Sequence, residues 1–513
     1  MLYNIRQSKL IFKIFLTIIY LFIFFILSSI IVVNIFCYYY GINADIASEG
    51  ILAKLIWDTK EWIPASWYVS TETRIFNVPN LAALLYGITG NITLSVGLSC
   101  CFFSFGILGS IFLFAKAIGF DKIQISILLL LCLILPNNSM IVELLYIHAA
   151  YYAPHTILLF ITLAVYVSAK RKKRVNISAG IIVLLHVLYG TQGVRGILII
   201  SGPLFAVELL CFLYQIYIKK IHNYDWKLFI WSIALVAGGF IGGLFPYSVE
   251  QSLSRNIRNA PEKLINYVFP DILKAIGIQD AGKAEKIIIV FLVICTVIVS
   301  ANLFIKMIRK KEIEAGEWGS MVIILSPIMT VGMLTFTTVE SSGRYYFVFL
   351  FAFALCLVTL WKYNNRWLRV FILCLVVSIS ILNYKRLYVP IFNSGGLEED
   401  HRYQVVEYLE QEGYTVAYSD FENANVMMLM AENNIIVGAI DDFSKMNCLK
   451  WMTSTDWYPP AIPLESKTAY IVTETKLEKF LFFCEENNAQ VVEETKIGKY
   501  YIYGSDYNYT YID

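Results

Sequence analysis

Charged residues are scarce in this sequence. Only 16% of its 513 residues are charged, whereas soluble domains carry roughly 25%. The net charge of +2 at pH 7 excludes a polyanionic partner such as nucleic acid. Hydrophobic residues make up 58% of the chain, and its mean hydropathy is +0.62. These two features together predict a membrane protein.

Motifs that define common soluble enzymes are also missing. The polar C-terminal region has no Gly-rich phosphate loop and no nucleophile elbow, and no clustered Cys or His spacing in the chain is typical of zinc ligands. Eight of the ten cysteines lie in or beside apolar stretches, where they act as small apolar residues. Only Cys448 and Cys484 lie in the polar region, and the sequence leaves a disulfide between them open.

Long apolar runs dominate the first 390 residues. A run of about 20 apolar residues crosses a hydrocarbon core of roughly 30 Å. The eleven runs lie near 11–36, 92–115, 123–137, 150–169, 176–191, 196–218, 228–248, 286–305, 318–338, 345–361 and 367–383. The third is short and ends at Pro136, so we expect it to be broken or partly re-entrant. The sequence therefore predicts an α-helical polytopic membrane protein with about 11 transmembrane helices.

Positive charge alternates between successive loops. The richer set comprises the N-terminus and every second loop, with Arg6 and Lys9, Lys116 and Lys122, Lys170 to Arg174, Lys219, Lys220 and Lys227, Lys306, Arg309, Lys310 and Lys311, and Lys362 and Arg366. Positive charge favours the cytoplasmic side. We therefore predict a plasma-membrane protein with a cytoplasmic N-terminus, an extracytoplasmic first loop and an extracytoplasmic C-terminus. The first run lacks a small-residue cleavage site, so it is expected to remain as a span.

The pattern changes after Asn383. We predict a multi-span membrane domain over 1–390, which includes an acidic first external loop over 38–80, and a small extracytoplasmic α/β domain over 391–513. Expected helices are His401–Glu412, Asn423–Glu432 and Leu477–Asn488, and expected strands are Thr415–Tyr418, Ile435–Ile440, Ala469–Val472 and a hairpin over Val491–Tyr503. This alternation predicts a partly parallel sheet. Its expected role is to shield or shape a site above the membrane.

The first external loop holds two carboxylates at helical spacing. Asp45 and Glu49 are four residues apart, so both lie on one face if the stretch is helical. We expect this helix to lie along the membrane with its acidic face toward external water. The plain alternative is that both are ordinary polar residues of an interfacial helix.

A second set of polar residues lies late in the chain, in Glu340-Ser-Ser-Gly-Arg344-Tyr345. An Arg at the outer end of a span runs against the positive-inside bias, and charges at such positions are commonly functional or paired. The planar guanidinium of Arg344 presents N–H donors in a fork that suits a phosphate. The alternative is that Arg344 snorkels or pairs with Glu340.

A third set lies in the middle of the chain. The turn Tyr189-Gly-Thr-Gln-Gly-Val-Arg195-Gly196 has three glycines and a second outer cation, although it is also consistent with a tight turn and a snorkelling Arg. His155 is a further candidate for substrate contact, against the commoner role of a structural hydrogen bonder. Arg255 and Arg258 are additional candidate phosphate binders.

These parts resemble the GT-C superfamily of integral membrane glycosyltransferases. The resemblance is carried by Asp45 with the helix that follows it, by the Trp62-Ile-Pro and Trp67 stretch, and by the Glu340–Tyr345 turn. It covers the whole chain as architecture. Many members have adjacent acidic residues in this loop, whereas Asp45 is flanked by Ala44 and Ile46. The resemblance therefore implies Asp45 as the principal catalytic residue and Glu49 as the second.

The resemblance implies a polyprenyl-phosphate-linked sugar as donor and an envelope glycan, lipid or protein as acceptor. Asp45 would be the general base of an inverting transfer, and a positioned base contributes about 10²–10⁴-fold. Arg344, with Arg195, would stabilise charge on the lipid phosphate, and Tyr345, Glu340 and His155 would contact substrate. A divalent ion (magnesium or manganese) bound by Asp45 is left open.

Three other classes of function remain open from the sequence. A lipid-linked sugar transporter or flippase would have charged or Gly/Pro-broken positions near the middle of several spans, whereas runs such as 286–305 are uninterrupted. A polysaccharide ligase or polymerase would favour a large late loop. A non-catalytic scaffold is the third alternative.

Overall fold

The structure, a computed structural model, describes residues 2–70, 73–136, 138–219, 224–245, 254–279, 281–309, 311–362, 365–393, 397, 400–432 and 434–512, with side chains from residue 13 onward. The α-helices are α1 (Leu2–Phe36), α2 (Ala44–Thr59), α3 (Val78–Thr89), α4 (Ile92–Ala117), α5 (Lys122–Ile134), α6 (Ser139–Leu145), α7 (Ala153–Lys172), α8 (Ile177–Gly190), α9 (Gly202–Tyr217), α10 (Trp226–Gly243), α11 (Ala260–Lys263), α12 (Phe269–Ala275), α13 (Lys283–Ile308), α14 (Ala315–Phe336), α15 (Val348–Leu360), α16 (Arg366–Phe392), α17 (His401–Gln411), α18 (Phe421–Met430) and α19 (Leu477–Asn487). The strands are β1 (Trp67–Tyr68), β2 (Val416–Asp420), β3 (Ile436–Asp442), β4 (Asn447–Cys448), β5 (Thr453–Ser454), β6 (Thr468–Thr473), β7 (Val492–Ile497) and β8 (Tyr500–Ser505).

The polytopic helical fold is confirmed, with fewer long spans than the eleven runs predicted. Within the described ranges, nine helices are long and apolar enough to cross a membrane, or ten if α5 and α6 form one span. Those two helices meet at an angle of 117°, close to Pro136, as expected for a broken run. Helix α8 has 14 residues, which reach only about 21 Å at 1.5 Å per residue, so it is shorter than the core of a bilayer.

The chain divides into two compact units. The first, called the bundle unit, comprises Met1–Ile31 and Phe102–Pro390. The second, called the sheet unit, comprises Val32–Cys101 and Ile391–Asp513. The first external loop and the C-terminal region therefore belong to the same unit, although the boundaries of the functional domains stay a prediction.

The sheet unit is built on a mixed six-stranded sheet in the order β4-β3-β2-β6-β8-β7. Strands β3, β2 and β6 run parallel, and β4, β8 and β7 run antiparallel to their neighbours. Strand β6 is buried along its length, as is typical of parallel strands that are covered on both faces. The partly parallel α/β region predicted from the sequence is therefore present, with β4 as an added edge strand.

Helix α2 of the first external loop packs against α18 in this unit. Asn43 caps the start of α2, where its side-chain oxygen accepts a hydrogen bond from the Ile46 amide at 2.9 Å. Gly50 lies where the two helices touch, since a Cβ there would lie 2.9 Å from Cδ1 of Leu429. Strand β1 pairs antiparallel with β5, so that Trp67 faces Ser454. These contacts join the acidic loop to the C-terminal α/β region.

The disulfide that the sequence left open is absent, because Cys448 and Cys484 are both free thiols. Cys448 is buried on β4 beside the hydroxyl of Tyr458. Cys484 lies on α19 near Tyr470 and Tyr503. Each thiol has its own aromatic surroundings, and burial raises the pKa of Cys484 to about 11, which disfavours the reactive thiolate.

A polar network lies inside the bundle unit. Glu208 of α9 is fully buried and accepts hydrogen bonds from the hydroxyls of Tyr166 and Tyr224. The ammonium of Lys170 forms a salt bridge with the same carboxylate. Lys170 belongs to the basic run, Lys170 to Arg174, whose positive charge the sequence analysis used to predict the membrane orientation. Lys170 therefore also neutralises the buried carboxylate of Glu208.

Candidate functional site

Arg195 of the bundle unit lies on the ring of Tyr152. Its Cζ is 3.7 Å from the ring centroid, and its Nη2 donates a hydrogen bond of 2.8 Å to the Tyr152 hydroxyl. Tyr152 immediately precedes α7 and is 3% exposed. Because a stacked guanidinium is held by an immobile ring, its orientation is fixed before any ligand arrives.

A second ring connects Arg195 to Arg344. Tyr345 lies in a short 3₁₀ helix, Gly343–Tyr346. Its ring centroid is 5.9 Å from Cζ of Arg195 and 5.6 Å from Cζ of Arg344. We call Arg195, Arg344, Tyr152 and Tyr345 the arginine platform. The structure thus gathers three of the predicted phosphate-contact residues, from the middle and the late part of the chain, around one tyrosine.

His155 and Glu340 occupy different surroundings. The His155 ring is fully buried on α7, and its centroid is 5.4 Å from that of Tyr189, the tyrosine next to the end of α8. Glu340 is exposed, and its charge acts on Lys263. Desolvation lowers the pKa of Lys263, and Glu340 offsets part of this lowering. The sequence identified neither Lys263 as a neighbour of Glu340 nor Tyr189 as a ring partner of His155.

Gln192 is a polar residue that the sequence analysis did not select. It lies between α8 and the π-helix Ile197–Ser201 and is 1% exposed. Neither its amide nitrogen nor its amide oxygen has a hydrogen-bond partner in the part of the chain that the structure describes. A buried amide without partners is costly, and π-helical turns are frequent at functional sites. The Gly-Thr-Gln-Gly sequence was the available signal for it.

The two carboxylates of α2 differ in their surroundings. Glu49 is 2% exposed, and its Oε1 lies 2.9 Å from Nε of Arg74. The expected acidic face toward water is therefore wrong for Glu49, because an internal ion pair keeps it buried. Asp45 is half-buried. Asp45 is thus the more accessible acid of the pair.

A small cavity adjoins the Glu49–Arg74 pair. Its volume is about 20 Å³, which is enough for one water molecule. Its walls include Trp62, Trp67 and Met452. Two predicted features of the loop, its tryptophans and Glu49, therefore line one water-sized space.

The described residues contain no group of three or more His, Cys, Asp or Glu side chains that would hold a metal ion. Within the same ranges, Glu49, the second carboxylate of α2, is paired with Arg74. Asp45 is therefore the carboxylate of this helix that would hold a divalent ion.

Arg255 and Arg258 are both exposed. The backbone of Arg255 bridges to Thr337, at the end of α14. Neither residue belongs to the arginine platform, so their predicted phosphate contact stays a prediction.

Comparison with solved structures identifies the fold. The crystal structure of the Archaeoglobus fulgidus oligosaccharyltransferase in complex with zinc and sulfate matches with a TM-score of 0.51 and 10% identity, over 93% of this chain and 72% of the other. The apo form of that protein matches with a TM-score of 0.51 and 11% identity, over 94% and 69%. No protein-family model matches the chain, and no curated protein matches it in sequence. The chain therefore has the fold of a membrane oligosaccharyltransferase, at an identity that shows the fold alone.

Proposed function

We propose that this protein is a membrane glycosyltransferase that moves a sugar from a polyprenyl-phosphate donor to an extracytoplasmic acceptor. The arginine platform is the observation that carries the proposal. Two guanidinium groups within 6 Å of one tyrosine ring form a cationic surface for an anionic leaving group. The shared fold with an oligosaccharyltransferase supports the same class of reaction.

The chemistry of the leaving group explains the need for the platform. When the bond between the anomeric carbon and the phosphate oxygen breaks, negative charge grows on the lipid phosphate. A fixed guanidinium stabilises that charge without reorganising, and loss of one such donor costs about 10²–10³ in rate. Stacking on Tyr152 holds the plane of Arg195 in place. The proposed role of Arg195 and Arg344 is therefore to bind and stabilise the phosphate, with Tyr345 positioning both.

Asp45 is proposed as the general base. The acceptor hydroxyl forms the new bond to the anomeric carbon, the phosphate leaves from the opposite face, and the hydroxyl proton passes to the Asp45 carboxylate. The configuration is then inverted. Glu49, which the sequence gave as the second catalytic carboxylate, is proposed instead to hold the loop through Arg74, since it is buried and paired.

The setting of the reaction follows from the predicted topology. The donor is a membrane lipid, and the acceptor is an envelope glycan, lipid or protein. The proposed compartment is the plasma membrane, with the N-terminus cytoplasmic and the C-terminus extracytoplasmic. Nucleotide sugars are not proposed as donors, because the donor must leave its phosphate in the membrane.

The proposal is tested with purified protein in vesicles, supplied with radiolabelled polyprenyl-phosphate sugars and with nucleotide sugars as a control. We expect label to move from a lipid donor and not from a nucleotide sugar. Arg344→Ala should lower the rate about 10²–10³-fold. Arg366→Ala removes an equal charge from an exposed position at the start of α16 and should keep the rate. Movement of intact lipid-linked sugar between leaflets without transfer would instead establish a flippase.

A further inference from the structure

A large cleft lies in the sheet unit. The carboxyl ends of the parallel strands β2, β3 and β6 border it, at Asp420, Asp441 and Thr473. Its volume is about 530 Å³, in the range of about 300–1,000 Å³ that is usual for ligand sites. The proposed transfer reaction uses none of its residues.

The sheet topology places this cleft where ligands bind in open α/β sheets. From β2 the chain crosses through α18 to β3 on one side of β2, and later returns to β6 on the other side. The carboxyl ends of β2 and β6 therefore flank the point at which the strand order reverses. Crevices at such switch points are the usual ligand sites of open α/β sheets.

One carboxylate of the cleft is held in a fixed position. Oδ1 of Asp420 accepts a 2.7 Å hydrogen bond from the Asn423 amide, and Oδ2 accepts a 3.4 Å bond from the Thr473 hydroxyl. Asn423 is 5% exposed, and its oxygen accepts a 2.7 Å bond from Tyr500. A carboxylate has about four acceptor positions, so Asp420 keeps capacity for a ligand while its orientation is set.

The mixture of donors and acceptors selects the chemical class of the ligand. The carboxylates of Asp420, Asp441 and Glu474 accept hydrogen bonds, whereas the ammonium groups of Lys476 and Lys499 donate them. The carboxylates would repel a phosphate, and the ammonium groups would repel a cationic ligand. A hydroxyl group both donates and accepts, so a ligand with many hydroxyls satisfies both sets.

We propose that the cleft at the carboxyl ends of β2, β3 and β6 binds an uncharged carbohydrate. The site is distinct from the arginine platform and does not depend on the proposed transfer reaction. It would give the C-terminal region a glycan-binding function in addition to shaping the first loop. Binding is therefore measured without turnover.

The test uses the full chain in nanodiscs that contain no glycolipid or sugar detergent. Saturation-transfer NMR and calorimetry would be run with a panel of uncharged trisaccharides based on glucose, galactose, mannose and N-acetylglucosamine. A uronic-acid disaccharide and a lysine-rich peptide complete the panel. We expect saturable binding of at least one uncharged trisaccharide, with weaker or no binding of the two charged probes.

Variants locate the binding site. Asp441→Ala and Glu474→Gln alter exposed lining residues and should weaken binding about tenfold or more each, as expected for loss of a hydrogen bond to a charged group. Asp506→Ala changes an exposed acid of the same unit outside the cleft and should bind as wild type. The proposal is overturned if no uncharged probe binds, if the peptide or the acidic sugar binds best, or if both cleft variants bind normally.

Discussion

Gly190 and Gly242 touch where helices α8 and α10 cross. A Cβ on Gly242 would lie 2.7 Å from Cα of Gly190 and 2.0 Å from the carbonyl oxygen of Val187. Small residues allow such close backbone approach between membrane helices. This crossing fixes the end of α8, and the turn that carries Gln192 and Arg195 begins there.

Alanine at this crossing should destabilise the protein. Gly242→Ala forces the two backbones apart, at a cost of about 1–3 kcal/mol for overpacking. Gly180→Ala is the control, because a Cβ at Gly180, on the partner helix α8, meets no atom within 4 Å. Thermal unfolding in nanodiscs measures both. Equal midpoints for the two variants would contradict the close crossing.

Replacing Gln192 should separate stability from activity. Gln192→Met removes a buried amide that has no hydrogen-bond partner among the described residues, so we expect stability to rise by about 1–3 kcal/mol. If the amide serves a ligand, the same change lowers sugar transfer. The unfolding midpoint and the rate of sugar transfer are measured on the same preparation of purified protein. A loss of stability together with unchanged transfer would show that the amide is structural.

Tyr152 should act on Arg195 through both stacking and its hydroxyl. Tyr152→Phe keeps the ring under the guanidinium and removes the 2.8 Å hydrogen bond, whereas Tyr152→Leu removes both. We expect a loss of transfer of about tenfold for Phe, the effect of one hydrogen bond to a charged group, and a larger loss for Leu. Transfer rates at saturating and limiting donor measure the effect. An equal loss for both variants would mean that stacking contributes nothing.

Asp400 gives the sheet unit an acid-dependent component of stability. Burial raises the pKa of Asp400, but the hydrogen bonds and charge of Arg402 outweigh it, and the pKa lies below its ordinary value of 3.8. A lowered folded-state pKa stabilises the fold fully above the ordinary value, and the contribution is lost as pH falls through the folded-state pKa. Asp400→Asn should therefore lower the unfolding midpoint at neutral pH and converge on wild type in acid. Parallel curves at all pH values would contradict the linkage.

The sequence could predict what depends on local pattern. The long spans followed from apolar runs, and the elements around β2, α18 and β6 followed from their periodicity. The helix around Asp45 was also predicted, because the alanines that follow favour it locally. These features need only neighbouring residues to be recognised.

Features that depend on distant contacts could not be predicted. The Glu49–Arg74 pair is set by how the loop folds back, and β1 and β5 are too short for any pattern to reveal their pairing. Arg195 and Arg344 were selected singly as outer cations, but their common neighbour Tyr345 is known only from the fold. The carboxyl-edge cleft likewise depends on the strand order.

The most direct test compares sugar transfer by wild type, Asp45→Asn and Asp58→Asn with the same labelled polyprenyl-phosphate donors. Asparagine keeps the shape of Asp45 and removes the base, whereas Asp58 is an exposed acid of the same helix, paired with Lys54 at 2.6 Å. We predict that Asp45→Asn inserts normally and loses transfer about 10²–10⁴-fold, and that Asp58→Asn transfers as wild type. Wild-type transfer by Asp45→Asn would show that Asp45 is not the base and would contradict the proposed mechanism.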